Sequence, residues 1–354
     1  MRARALALSA VASVALLAVA SCSSGSTSAS QASSTASSAA SSTGSTASSG
    51  AAPTTATTPE EPADTAVASP VDPSEMPTAT GGFGDKPTIT VPSTPAPDSL
   101  QRVILSEGDG TASKAGDTVA VNYLGQVWGG DVFDNSYDRG APFVAQIGGP
   151  QRQVVAGWDV GLQGVKSGSR VLLSFPARDG YGSQGSGDTI PGGASLIFVV
   201  DVISVYPPDA AAQTDAAPQE VPAGWPAVSG ELGALPTLTI PASLPEPAQA
   251  GATLIAKGTG DPAAAGQVLA QYYATSWDGQ QTEQSWPDPT GADPRAGTGA
   301  QALPLNSSSA FAALIGLPIG SRVLLRTPAD SNSGVPAVAW VIDLIEQISV
   351  TPGS

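Results

Sequence analysis

Between Tyr123 and Phe198 the sequence gathers side chains that could line one apolar pocket. At its centre is Val154 to Val165, VVAGWDVGLQGV, where a Gly-Trp pair behind two β-branched residues opens a short helix with Trp158 facing inward. A lone Trp in an apolar stretch is usually core packing. Its company changes that reading. Upstream lie Tyr123, the pair Phe133-Asp134, and Asp138 to Phe143, which includes Arg139. Downstream lie Tyr181-Gly182 and Ile190 to Phe198. Aromatics with one acid and one Arg can hold an apolar group away from water and set a carboxylate beside it. The chain has no His, which excludes His-based catalysis and His metal sites.

Strands must carry most of these residues. Segments rich in Val, Ile, Tyr and Phe, bounded by Gly, Asp and Pro, predict strands at Thr88 to Val91, Val103 to Glu107, Thr118 to Trp128, Phe143 to Ile147, Arg170 to Phe175 and Leu196 to Val205. Only the stretch around Trp158 reads as helical. One helix among many short strands predicts an α+β domain, an antiparallel sheet wrapped around that helix.

The order Tyr123, Phe133-Asp134, Arg139, Phe143, Val154-Val155-x-Gly-Trp158, Tyr181-Gly182, Ile190-Pro191, Phe198 resembles the signature of the FKBP-type peptidyl-prolyl isomerases, the immunophilins. The resemblance covers roughly Ser99 to Tyr206 and implies the same α+β architecture. It also implies roles. Trp158 would be the floor, with Tyr123, Phe133, Phe143, Val154, Val155, Ile190 and Phe198 as walls. Tyr181 would offer its hydroxyl, and Val155 its backbone N–H, to substrate carbonyls. Asp134 would sit beside the twisting carbonyl, partnered by Arg139 and Tyr123, because a carboxylate among apolar walls needs partners. The sequence departs from the pattern in extra residues between Gly148 and Val154, including Pro150 and Arg152, and in Gly192-Gly193 on the rim.

Those residue types suit that reaction. Rotation about an Xaa-Pro bond is slow because amide resonance must be broken, with a barrier of about 18–20 kcal/mol. No proton moves and no covalent intermediate forms. A dry apolar pocket favours the twisted amide, whose charge separation is reduced, over the planar one.

The rest of the chain is organised differently. Residues 1–22 read as an export signal: Arg2 and Arg4, the apolar run Ala5 to Ala20, and Val19-Ala20-Ser21-Cys22, which resembles a bacterial lipobox. Cys22 is the only cysteine, so its lipidation would leave no thiol for disulfide or redox work. Lipidation anchors the protein to the outer face of the cytoplasmic membrane, each buried methylene contributing about 0.8 kcal/mol. Residues 23–84, rich in Ser, Thr, Ala and Pro, read as a disordered tether whose r.m.s. reach is about 40–45 Å. The isomerase-like domain then spans 85–206, a linker 207–231, and a second domain 232–350. Three segments recur in that second domain: PTITVP as PTLTIP from Pro236, GSRVLL from Gly320, and FVVDVI as WVIDLI from Trp340. The expectation is two FKBP-like domains, each a sheet wrapped around a short α-helix. The pocket residues do not recur: Tyr123 pairs with Tyr273, Phe133-Asp134 with Glu283-Gln284, Trp158 with Ala310, and Tyr181 with Ser333-Gly334. Floor, acid and lip are gone, which reads as a degenerate copy.

Two functions compete: an isomerase for Pro-containing exported polypeptides, and a client-binding or chaperone lipoprotein in which turnover is incidental. A net charge of −16 argues against nucleic acid. Nothing in the sequence calls for a metal or another cofactor. It sets no oligomeric state.

Overall fold

The computed structural model describes residues 62–68, 75–288, 290, 297–331 and 334–348. The export signal, Cys22 and most of the tether lie outside the described residues. Two antiparallel sheets dominate. The first contains β3 (Gln101–Ser106), β4 (Thr118–Val127), β5 (Val132–Asn135), β6 (Phe143–Gln146), β7 (Arg170–Phe175) and β8 (Leu196–Tyr206), in the order β3-β7-β8-β4-β5, with β6 also on β4. One α-helix, α1 (Ala156–Gly161), packs against β7.

Side-chain alternation splits the sheet into two buried faces. Val171, Leu173, Phe175, Phe198, Val200 and Val202 join Trp158 and Leu162 in the core under α1. Leu124, Leu172, Ile197 and Val199 face the other way. That second face is covered by a strap, the hairpin of β1 (Thr78–Ala79) and β2 (Ile89–Thr90), with Met76 and Ile89 packed down. Burial on both faces explains why β7 and β8 read as near-continuous apolar runs. The strap is clamped by a buried ion pair. Arg170 Nε lies 2.6 Å from Asp201 Oδ1, Arg170 Nη2 donates to Asp85 O at 2.5 Å, and Gly84 N donates to Asp201 Oδ2 at 2.7 Å.

The second sheet repeats this order. Its strands are β9 (Ala217–Pro218), β12 (Gly251–Lys257), β13 (Gly266–Ser276), β14 (Thr282–Gln284), β15 (Gln301–Leu305), β16 (Arg322–Thr327) and β17 (Val338–Ile348). They run β14-β13-β17-β16-β12-β9, with β15 also on β13. The bulges recur as well, between Ile104 and Ser106 and between Leu254 and Ala256. So does the strap, β10 (Ala227–Ser229) with β11 (Thr237–Thr239), and its clamp: Arg322 Nε lies 2.6 Å from Asp343 Oδ1, and Arg322 donates to Glu231 O and Ala234 O.

Four expectations change. Residues 75–84, assigned to the tether, form part of the strap, because Met76 has an apolar face to cover. Asp64, further back, accepts the Leu100 N–H at 2.7 Å. The linker is likewise built in: Ala217–Pro218 pairs with Ala256 and Lys257, and Ala227–Ser229 with Thr237–Thr239. β5 was not foreseen; four residues between turns give little periodicity. Finally, the second sheet wraps no α-helix among the described residues. A 3-10 turn, Ala312–Leu314, stands there, preceded by Asn306 and Ser309, whose side chains bond nearby backbone and compete with helix formation.

Candidate active site

The site forms where β4 changes partners. Thr118 to Val121 pair with β6, whereas Leu124 to Gln126 pair with β5. Tyr123 sits at the changeover, its N–H donating to Ser136 Oγ at 2.9 Å while Ser136 N donates to Tyr123 O. Ser136 Oγ in turn donates to buried Asn122 Oδ1 at 3.1 Å. The divided edge delivers Phe143 from β6 on one side and Phe133 and Asp134 from β5 on the other. Gly125, opposite Asp134, has a packing reason: a Cβ there would stand 2.6 Å from Phe133 and 2.8 Å from Phe198.

The aromatic set closes on Trp158. Its ring meets Tyr123 at 5.2 Å, Phe198 at 5.3 Å and Phe143 at 6.0 Å, all edge to face, and Phe133 meets Phe198 at 5.5 Å. Each such pair contributes about 0.5–1.5 kcal/mol beyond area burial. Tyr123, Trp158, Ile190 and Phe198 are buried; Phe133, Phe143, Val154, Val155 and Tyr181 are partly exposed and packed on the same cluster. The residues singled out by spacing therefore meet in space.

Asp134 is held from two sides. The Tyr123 hydroxyl donates to Asp134 Oδ2, and Arg139 pairs with Asp134 Oδ1 while its Nη2 donates to the Tyr123 hydroxyl at 2.9 Å. Arg139 also lies over the Tyr123 ring, 5.3 Å from the centroid. Burial, and then the Asp134 hydrogen bond, push the Tyr123 phenol well above its ordinary range. Burial and the Asp134 charge also raise Tyr181. For Arg139, burial works to lower the pKa, but Tyr123 and Asp134 outweigh it and raise the group. Both phenols are O–H donors at neutral pH and Arg139 stays charged.

Val155 caps α1 in extended conformation, its carbonyl accepting from Trp158 and Asp159. The first turn of a helix leaves N–H groups without intrahelical partners. The loop before it is tied down by Asp159: Oδ1 accepts the Gly148 N–H at 2.9 Å, and Oδ2 lies 3.1 Å from Arg152 Nε. Burial raises the Asp159 carboxyl despite those partners. Asp159, Ser136 and Asn122 support the site and escaped sequence reading, since a single Ser or Asn carries no periodic signal. Among the described residues no group of His, Cys, Asp and Glu is arranged to hold a metal.

The sequence profile of FKBP-type peptidyl-prolyl cis-trans isomerases matches residues 110–203, the stretch that builds this site. FK506-binding protein 1 of Debaryomyces hansenii is 44% identical over 111 residues, 31% of this chain and 97% of that protein. The chain belongs to the FKBP-type peptidyl-prolyl isomerases. The FK506-binding protein of Streptomyces anulatus is 42% identical over 123 residues, 34% of this chain and 98% of that protein. Peptidyl-prolyl cis-trans isomerase FKBP15-2 of Arabidopsis thaliana is 50% identical over 90 residues, and there the chain spans about half of the relative's length, 54%. The crystal structure of FkpA from Escherichia coli shares 36% identity, over 31% of this chain and 49% of that one, at a TM-score of 0.28. The family match ends with β8.

The corresponding region of the second sheet corrects the residue pairing expected from sequence. Tyr272, not Tyr273, occupies the Tyr123 position: its N–H donates to Ser285 Oγ at 2.8 Å, and Ser285 Oγ donates to Gln271 Oε1 at 2.5 Å. The Tyr272 hydroxyl donates to Glu283 Oε1 at 2.6 Å. Glu283 thus stands for Asp134, and Thr282 for Phe133. The acid is present after all; the Phe is not, and among the described residues no Arg pairs with that acid. Buried Phe311 packs on Trp340 at 5.4 Å, beside Ala310. Ser333 lies outside the described residues.

Proposed function

We propose that this isomerase acts on Pro-containing polypeptides outside the cytoplasmic membrane, held there by a lipid on Cys22. What supports the location is the order Arg2, Arg4, an apolar run and a lone cysteine after Val19-Ala20-Ser21. In the pocket, Trp158 underlies the proline ring, with Phe133, Phe143, Val155 and Phe198 around it. The single observation that carries this reading is the closure of those rings on Trp158 with one partnered carboxylate at the edge.

Each residue acts without proton transfer. The apolar rings strip water from the amide, which disfavours its charge-separated planar form. Asp134, fixed by Tyr123 and Arg139, stands beside the carbonyl as it rotates. Tyr181 and the Val155 N–H hold carbonyls on either side of the turning bond, so the peptide is gripped while one bond twists. Each 1.36 kcal/mol of preference for the twisted amide gives about tenfold in rate. The second sheet is, on this reading, a non-catalytic FKBP-like domain, supported by the matching strand order, bulges and Arg-Asp clamp.

The test is a protease-coupled assay of Xaa-Pro peptides on whole-cell membrane fractions, with Cys22→Ser as control. Turnover should sediment with the membrane and shift to an unprocessed, unacylated form in Cys22→Ser. Mature, membrane-bound protein in that variant would overturn the anchoring.

A further inference from the structure

The segment leading into β15 reaches across to the first sheet and lands on the loop that feeds the active site. Gln146, the last residue of β6, donates through Nε2 to Gly297 O at 3.1 Å and to Gly116 O at 2.9 Å. Thr118 Oγ1 donates to Ala300 O at 3.2 Å. Gln153 donates through Nε2 to Thr298 O at 3.3 Å, while its Oε1 accepts the Gln146 N–H at 2.9 Å. Gln146 and Gln153 thus close the loop 147–152 into a ring, and the second unit holds that ring at both glutamines. Gln146 is 2% exposed, so this contact is a built one and not a brush of two surfaces.

The ring is joined to the pocket at two points. Phe143 starts the strand that Gln146 ends, and Val154 and Val155 directly follow Gln153. Asp159, one residue past the floor Trp158, holds the other side of the ring through Gly148. The Asp159 carboxylate does not itself hold Gln153, because its two partners, Gly148 and Arg152, lie before that residue. The 297–300 segment supplies the missing restraint. We infer that the second unit is a positioning element for the isomerase site: through Thr298, Gly297 and Ala300 it sets Gln153 and Gln146, and so the Val154-Val155 backbone against which the peptide is laid. This rests on the proposed role of the Val155 N–H and goes beyond it, by giving the second unit a part in substrate binding with no pocket of its own.

The interface has a point at which it can be wedged. Gly299 packs with a positive φ of 71°, and a Cβ there would stand 2.6 Å from Thr118 Oγ1 and 3.2 Å from Gln146 Nε2. Gly299→Val in the full-length chain should force the segment off the ring. The expected result is a KM for a Xaa-Pro peptide raised about 3–10-fold with kcat within about twofold, since uniform binding is lost and the twisting pocket is kept. Gln153→Ala should do the same, and the double variant should be no worse than either single, because both break one link. A merely structural role would instead lower the active fraction, and kcat with it, and the two effects would multiply. Unchanged KM in both folded single variants overturns the inference while leaving the isomerase reading intact. Absence of turnover in the wild type would overturn that reading, and this inference with it.

Discussion

The two sheets carry the same framework and different sites. Strand order, bulges, strap and a buried Arg-Asp clamp recur from one to the other. Around Tyr123 the first sheet places four aromatic rings, a carboxylate and a guanidinium. Around Tyr272 the second keeps the Tyr and a carboxylate but has Thr282 for Phe133, and among the described residues no Arg pairs with Glu283. The two sites differ in how far the polar pair is surrounded by apolar surface that can take a proline ring. A hydrogen-bonded Tyr–carboxylate pair thus recurs with the framework, and on the proposed reading catalysis depends on the rings around it in the first sheet.

The clamps should show the largest effect, and should show it in both units. Arg170 and Arg322 are 2% and 1% exposed in their side chains, and each faces a buried Asp. Replacing either by Leu leaves an uncompensated carboxylate, which costs about 3–5 kcal/mol. Calorimetry should show each unit's own melting step fall in its own variant. Turnover at a temperature where both remain folded should be spared in Arg322→Leu. Equal mild losses in both steps from either variant would mean the units melt as one body.

Next comes the contrast between the sites. Phe133→Ala should lower kcat/KM about 100-fold, about 2.7 kcal/mol of transition-state stabilisation, while Thr282→Ala should change nothing. Asp134→Ala should lower kcat more than it raises KM. Loss of activity in Thr282→Ala would place turnover in the second unit and undo the comparison. A smaller effect is the pH profile. With no His, and with Tyr123 and Tyr181 raised above the ordinary phenol range by burial and Asp134, kcat/KM should be flat between about pH 6 and 9. A bell in that window would mean a proton moves.

Much of this was legible from residues alone, and the failures have physical causes. Tyr123, Trp158 and Phe198 could be read because a pocket needs several large apolar groups, whose order survives along the chain. Tyr272 and Tyr273 could not be told apart. They are adjacent, a strand sends neighbours to opposite faces, and it is the burial of Tyr272, with its hydroxyl on Glu283, that shows which one turns inward. β5 and the first strands of the straps, β1 and β10, were missed, since each runs only two to four residues and gives no alternating pattern; the second strands lay in the Thr88 to Val91 segment and its repeat. The glutamines at 146 and 153 gave no signal, because their partners are backbone carbonyls of a distant segment.

The smallest prediction concerns a carboxylate that the first unit buries and the second does not. Asp179 ends a 3-10 turn just before Tyr181 and is fully buried, whereas Ser331, the residue in its place after Pro328, is exposed. Asp179 Oδ1 accepts the Asp64 N–H at 2.7 Å, while Oδ2 is buried without a partner among the described residues. Burial raises its pKa; the Asp64 charge adds to this, and the Asp64 N–H and Arg178 oppose it. The sign follows. A raised folded-state pKa means that the native chain binds the proton more tightly, so the stability this group contributes is present below the unfolded value of 3.8 and is lost as pH rises through the folded one. Asn keeps the acceptor for Asp64 and never ionises. Asp179→Asn should therefore raise the first unit's own Tm at pH 7 by about 2–4 °C, the response to about 1 kcal/mol in a unit of this size. That gain should shrink at about pH 3.5, below the unfolded value of 3.8, as the carboxyl takes up its proton in both states. An equal gain at both pH values would show that packing, and not the buried charge, sets the difference at this corner of the site.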